Sequence, residues 1–283
     1  MNGMCTMGMM KRMGQAGEAT MVVAKTVDTQ PTNVAYERLE RSSDAPSILC
    51  FRMGWQPGVN AGMNEHGLVV MSSYLGWHKP SRMQRAPDFA GDTRGLANLR
   101  ALQMHTTADS AAQTLVSFFA DHPSAVGGVH FLMDAAGGVA VVEHAEGQIG
   151  WEIAVASGSG PLRAIVRAND AELIDSALPD GMKIDAYDAE DRAVRRERML
   201  GGLRSLPLED GLGRLKRWLG SHANPEGGQH GQICIHDYGN DGQRSISHAA
   251  HHTETALIFD IPSRTMLYSE GAPCRQVWKS VTL

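Results

Sequence analysis

Four residues precede Cys5, and Thr6 follows it. A cysteine becomes a nucleophile where its thiolate is favoured and a base lies within reach. Exposed as a new N-terminus, Cys5 would carry its own base, because a free α-amino group titrates at about 7.7–8.0. One residue can then attack a carbonyl carbon and pass the thiol proton to a leaving nitrogen. That is the chemistry of amide cleavage or acyl transfer. Taken alone, a thiol near a terminus reads more simply as an incidental buried cysteine.

Other groups suggest other chemistry. Six methionines fall in the first thirteen residues, a soft donor set of the kind that suits Cu(I). Met7 and Met9 alternate with Thr6 and Gly8, however, and that spacing is one buried face of a strand. His248, His251 and His252 would share a helix face and could hold zinc, yet no cysteine or carboxylate completes a site nearby, and a polar loop is the plainer reading. Cys5, Cys50, Cys234 and Cys274 contain no C-x-x-C pair, so their spacing gives neither a zinc site nor a disulfide framework. The arginines from Arg192 to Arg217 are balanced by Glu190, Asp191, Glu197, Glu209 and Asp210 and read as solvated helix surface.

The elements around these residues follow from periodicity. Thr6 to Asp28 reads as two strands about a turn at Gly14-Gln15-Ala16-Gly17, the second apolar enough to be buried on both faces. Ser47 to Met53 is a further strand, and Gly62 to Met71 is a turn feeding a buried one. Amphipathic helices are expected over Thr93–Met104 and over Ala108–Ala120, the latter with Thr107 as N-cap. A hairpin runs from His130 to Glu143, turning at Ala135 to Gly138; strands follow at Ile149–Ala156 and Arg163–Arg167. Helices are expected at Ala189–Leu203 and Leu208–Leu219, then a polar loop over Gly220–Gly231, then strands Glu254–Ile261 and Thr265–Ser269. Strands, a helix pair, strands, a helix pair and strands again is not a βαβ alternation. It fits an α+β, four-layer αββα sandwich of two mainly antiparallel sheets.

Placed on these elements, several strings resemble the N-terminal nucleophile (Ntn) hydrolases, in the branch of choloylglycine hydrolases and isopenicillin-N acyltransferases. They are Cys5-Thr6, Lys25-Thr26-Val27-Asp28, Gly62-Met63-Asn64-Glu65-His66-Gly67-Leu68, Asp134-Ala135 through Gly138, Ala168-Asn169, and Phe259 to Arg264. Gly62 to Leu68 is the most specific of them, and together they cover nearly the whole chain in the family's order. The resemblance implies Cys5 as nucleophile, Asp28 holding its α-amino group, Asn169 donating to the oxyanion, and Lys25 in place of the family's arginine. It also implies a helix-borne arginine near the site, matched by Arg192 with Arg195 and Arg196 as alternatives. Asn64 and Glu65 would be architectural. The family's second oxyanion asparagine has no counterpart in Val69 to Trp77, where Ser73, Tyr74 or the backbone would have to donate. Tyr74 and Trp77 are candidates to line an acyl pocket, with core packing as the alternative.

Residues 1–4 would be a short propeptide, lost by autoproteolysis, or lie ahead of an alternative start at Met4, with 5–283 a single Ntn hydrolase domain. The expected function is a cysteine amidohydrolase cleaving a linear non-peptide amide. An acyltransferase, a dipeptidase-like peptidase, and a non-enzymatic Met- and His-rich metal-binding protein stay open as alternatives. Composition sets the frame: 42% hydrophobic and 20% charged residues are those of a globular protein. A net charge of −5 offers no basic excess for nucleic acid. No apolar run of about 18 residues suggests a membrane span. No h-region marks a signal peptide, so a reduced, cytoplasmic protein is expected. No metal and no cofactor are expected; the partner is a small-molecule amide, and homo-oligomer formation stays open.

Overall fold

The computed structural model describes residues 5–13, 19–75, 88, 90–154, 163–174, 186–207, 210–222, 231–236, 252–275 and 277–283. Within them, β1 (Met7–Met13), β2 (Ala19–Thr29), β10 (Arg163–Arg167), β11 (His252–Asp260), β12 (Thr265–Ser269) and β13 (Trp278–Thr282) form one sheet, in the order β10-β1-β2-β11-β12-β13. The other holds β3 (Val34–Leu39), β4 (Ile48–Met53), β5 (Ala61–Asn64), β6 (Val69–Tyr74), β7 (Gly128–Met133), β8 (Val139–Ala145) and β9 (Gln148–Ala154), in chain order. Every strand pairing among the described residues is antiparallel.

Alternation along the strands sorts their side chains into layers. Met7 and Met9 of β1 and Val23 of β2 face Phe51, Met71 and Phe131 of the second sheet in a core between the sheets. Met10, Val22 and Ala24 point the other way, onto Met199, Leu203, Leu215 and Leu219. Those leucines and the methionine belong to α3 (Ala186–Arg204) and α4 (Gly211–Leu219). The second sheet's outer face, with Val70, Leu132 and Val142, is covered by Ala97, Ala101, Leu115 and Phe119. These come from α1 (Arg94–Met104) and α2 (Ala108–Ala120), and Thr107 caps α2 by accepting from the Ser110 amide at 3.4 Å. The result is the αββα sandwich, with β2 apolar on both faces because both are buried. At about 1.5–3 kcal/mol per fully buried large side chain, this two-sided burial is what holds the layers together. Gly8 shows how tightly: a Cβ there would lie 2.6 Å from Leu203 Cδ1.

The Gly62–Leu68 string is architectural. Asn64 donates to the Leu102 and His105 carbonyls at 2.9 and 2.8 Å, tying the turn to the C-terminal end of α1. Its Oδ1 accepts from His66 and Leu68 amides, and Gly67 adopts φ +84°. Arg264, in the turn between β11 and β12, donates to the carbonyls of Glu65 and His66. Two of the strings that carried the family resemblance therefore touch each other across the sheets.

Two strands do not stand out in the sequence. β3 and β13 are edge strands with half-exposed side chains, so neither shows a clean apolar alternation. The last α-helix among the described residues begins at Gly211, after Asp210 in a left-handed conformation, while Leu208, its expected start, lies outside the described residues. The turn at Gly14–Gly17, the loop 223–230, His248, His251 and residues 1–4 lie outside the described residues. His252 opens β11.

Candidate active site

One end of the first sheet gathers the residues singled out by the sequence. Cys5 and Thr6 run into β1, Lys25, Thr26 and Asp28 close β2, Thr253 pairs with Asp28 at the start of β11, and Asn169 lies just past β10. Cys5 is buried at 6% exposure, and its backbone nitrogen donates to Asn169 Oδ1 at 2.6 Å. Asn169 holds φ +63°, a left-handed conformation that asparagine tolerates better than most residues, and its Nδ2 donates to the Tyr74 carbonyl at 2.6 Å. One strained turn thus ties the residue carrying the thiol to the end of β6 in the opposite sheet.

Lys25 is fully buried, with Nζ donating at 2.6 Å to both Asn60 Oδ1 and the Ser72 carbonyl. Burial pushes its ammonium below the usual range and Arg94 adds to the fall, while negative charge on Cys5 and Asp28 resists it. Arg94, at the start of α1, is also buried and forks onto Asp92 at 2.8 and 2.6 Å. Burial alone would lower Arg94; the Asp92 carboxylate outweighs it, and Cys5 and Tyr74 act in the same direction as Asp92. Both cations are therefore close enough to attract negative charge on the Cys5 sulfur. Asn60, Gln56 and Asp92 link them, since Asn60 donates to Gln56 at 2.9 Å and Gln56 to Asp92 at 3.2 Å.

Asp28 accepts from Thr253 Oγ1 at 2.6 Å and Thr26 Oγ1 at 3.2 Å, yet burial lifts its pKa to about 7. A raised carboxyl pKa means the folded chain holds a proton that the unfolded chain releases near 4. Stability from this group is therefore full below about pH 4 and is lost as pH rises towards 7. His130 works oppositely: burial, then Arg94, lower it to about 3, so its stabilisation is lost as pH falls from about 6.5. Asp28→Asn removes only the first slope. Its thermal midpoint relative to the parent chain should climb between pH 4 and 7, and a constant difference across that range would refute the raised carboxyl.

Arg195 is the arginine that reaches Cys5. It is fully buried, donates to the Cys5 carbonyl at 3.3 Å and Thr6 Oγ1 at 3.0 Å, and pairs with Asp191 at 2.9 Å. Arg192, the match preferred on sequence, is also buried but lies near Tyr74, whose phenol it draws down against a burial-driven rise to about 12. The reading of this cluster as solvated surface fails for both, because their face of α3 packs onto the sheet end. Arg196 fits it better, with its ion pairs to Asp170 and Glu172 at the surface.

Cys5, Val27, Asp28, Met53, Trp55, Asn60, Ser73, Tyr74 and Arg94 line one narrow cleft. Among the described residues Ser73 Oγ is buried without a hydrogen-bond partner. Trp77 lies outside the described residues. Arg94, Asn60 and Thr253 carried no signal in the sequence, since each acts through contacts between layers and not through local spacing.

No protein-family model matches the chain, and no curated protein matches it. Solved structures do match. The chain is similar to penicillin V acylase from Agrobacterium tumefaciens, with 14% identity over 93% of this chain and 82% of that one, at a TM-score of 0.45. It is similar to a mutant of conjugated bile acid hydrolase from Clostridium perfringens, with 10% identity over 98% and 92%, at 0.49. It is also similar to the Caenorhabditis elegans ortholog of N-acylethanolamine-hydrolyzing acid amidase, with 8% identity over 89% and 92%, at 0.49. At these identities the chemistry rests on the residues described above.

Proposed function

We propose that the chain is an amidohydrolase of the N-terminal nucleophile type, cleaving a linear non-peptide amide through a thioester on Cys5. The observation that carries this reading is the seat of Cys5: its backbone nitrogen held by Asn169, at a cleft flanked by Asp28 and two buried cations. In the mature form residues 1–4 are gone. The freed α-amino group takes the Cys5 thiol proton, and the sulfur attacks the amide carbonyl to form the C–S bond. Lys25 and Arg94 supply positive charge beside the cleft, and Arg195 fixes the Cys5 carbonyl. As the C–N bond breaks, the ammonium returns its proton to the leaving amine. Water then attacks the thioester, releasing the acid and restoring the thiol. Val27, Met53 and Trp55 give the cleft an apolar wall for the acyl group. No helix among the described residues is long and apolar enough to cross a membrane, and the substrate is taken to be a small molecule.

The oxyanion needs donors, and Asn169 Nδ2 already serves the Tyr74 carbonyl. Ser73, with an unpartnered hydroxyl in the cleft, is assigned that role beside Asn169. Ser73→Ala should lower kcat about 100-fold with KM little changed; a KM effect alone would make it a binding residue. The reading as a whole is tested by intact-mass measurement on purified protein mixed with a panel of N-acyl compounds. Loss of residues 1–4 and an acyl adduct on Cys5 are expected. A fully retained MNGM extension on active protein would remove the α-amino base from the mechanism.

A further inference from the structure

On the far side of the chain's Thr253–Asp28 contact lies a second cluster. We propose that His222, Cys234, His236 and Cys274 form a structural zinc site that holds the 231–236 segment against the active site. One ligand atom from each of the four lies within 4.8 Å of all the others. His236 Nε2 is 3.2 Å from Cys274 Sγ and 3.8 Å from Cys234 Sγ. Around a tetrahedral zinc, with Zn–N near 2.0–2.1 Å and Zn–S near 2.3 Å, neighbouring ligand atoms stand about 3.3–3.8 Å apart, and a nitrogen–sulfur pair about 3.5 Å. The two His236–sulfur separations lie within a few tenths of an ångström of that geometry, and every other pair, at 4.8 Å or less, needs to close by about 1.5 Å at most.

Donor type points the same way. Two sulfurs and two imidazole nitrogens are a tetrahedral zinc set, and two thiolates cancel the ion's charge in a partly buried place. Binding releases the two thiol protons to solvent as the S–Zn bonds form, with no change of oxidation state. His222 Nδ1 sits 3.1 Å from Gln232 Oε1, the partner that would leave Nε2 as its metal donor. The backbone is already drawn together, since a Cβ on Gly220 would lie 2.9 Å from the Cys274 nitrogen. All four positions are taken by protein, so the site is structural and not catalytic.

The ligands come from three separate stretches: the exit of α4, the 231–236 segment, and the short 3-10 turn Pro273–Arg275 ahead of β13. The middle one feeds the active site directly. Gly231 donates to Asp191 at 2.7 Å, and Asp191 orients Arg195. Thr253 donates its amide to the Ile235 carbonyl at 2.9 Å, accepts from the Ile235 amide at 2.8 Å, and donates its hydroxyl to Asp28. Pinning this segment therefore positions both the Asp28 carboxyl at the cleft and the arginine behind Cys5.

Elemental analysis of the full chain, purified under reductant without chelator, should find about one zinc per chain. Replacing it with Co(II) should give a sulfur-to-cobalt charge-transfer band and intense tetrahedral visible bands. Cys234→Ser and Cys274→Ser should each lose most of the metal, while Cys5→Ala and Cys50→Ser keep it. Substoichiometric zinc with no thiolate–cobalt band in the unaltered chain would overturn the proposal, whatever the variants do. So would a Cys234–Cys274 disulfide in protein kept under reductant. Metal content is read without turnover, so zinc found where no acyl-Cys5 forms would retire the amidase reading and leave this one standing.

Discussion

Cys5→Ala is expected to lower turnover about 10⁴–10⁶-fold, the scale seen when a covalent nucleophile is removed outright. The size follows from the site's design. Lys25, Arg94 and Asn169 are arranged around the Cys5 sulfur and nitrogen, and none of them supplies a second nucleophilic sulfur. Removing one buried sulfur should cost only about 1 kcal/mol of stability, so the variant should keep its fold and near-parent melting. Initial rates on whichever N-acyl compound acylates the parent chain provide the check, with circular dichroism as control. An acyl adduct that persists in the variant, on Cys50, Cys234 or Cys274, would sink the assignment.

Arg195→Ala should be the most damaging single change to stability, by about 3–5 kcal/mol. Arg195 and Asp191 are 0% and 1% exposed as side chains, and the guanidinium also serves the Cys5 carbonyl and the Thr6 hydroxyl. Deleting it strands Asp191 as a buried charge with only the Gly231 amide beside it among the hydrogen bonds described. Arg196→Ala is the contrast: one turn face away, its pairs with Asp170 and Glu172 are partly exposed and worth about 1 kcal/mol or less. Denaturant titration of both variants decides it. Equal, small losses would mean that the Arg195 pair is not holding α3 to the sheet.

What could be read in the sequence is what local pattern encodes. Met7 and Met9 face the core between the sheets as their alternation requires, and Thr107 caps its helix. Gly62 to Leu68 forms the turn its composition suggests, because Asn64 and Gly67 supply the hydrogen bonds and the backbone conformation a turn needs. Lys25, Asp28 and Asn169 fall at one sheet end because the strands that carry them were legible. The arginine was not settled, since Arg192, Arg195 and Arg196 are near neighbours on a helix and only its docking angle selects one. The cluster of His222, Cys234, His236 and Cys274 was invisible for a related reason. Its members are joined by the packing of three stretches far apart in sequence, and their spacing matches no regular motif.

The strand order has a further consequence for how the chain is made. β2 is flanked by β1 and β11, so Asp28 meets Thr253 only once residues 252–260 exist. At about 5–20 residues per second, roughly 10–50 s separate the emergence of Cys5 from that of Thr253. Asn169 and Arg195 arrive during the same interval. A ribosome therefore releases the thiol first and the Thr253 partner of Asp28 last, and a chain abandoned before β11 leaves that buried carboxyl without its shortest hydrogen bond.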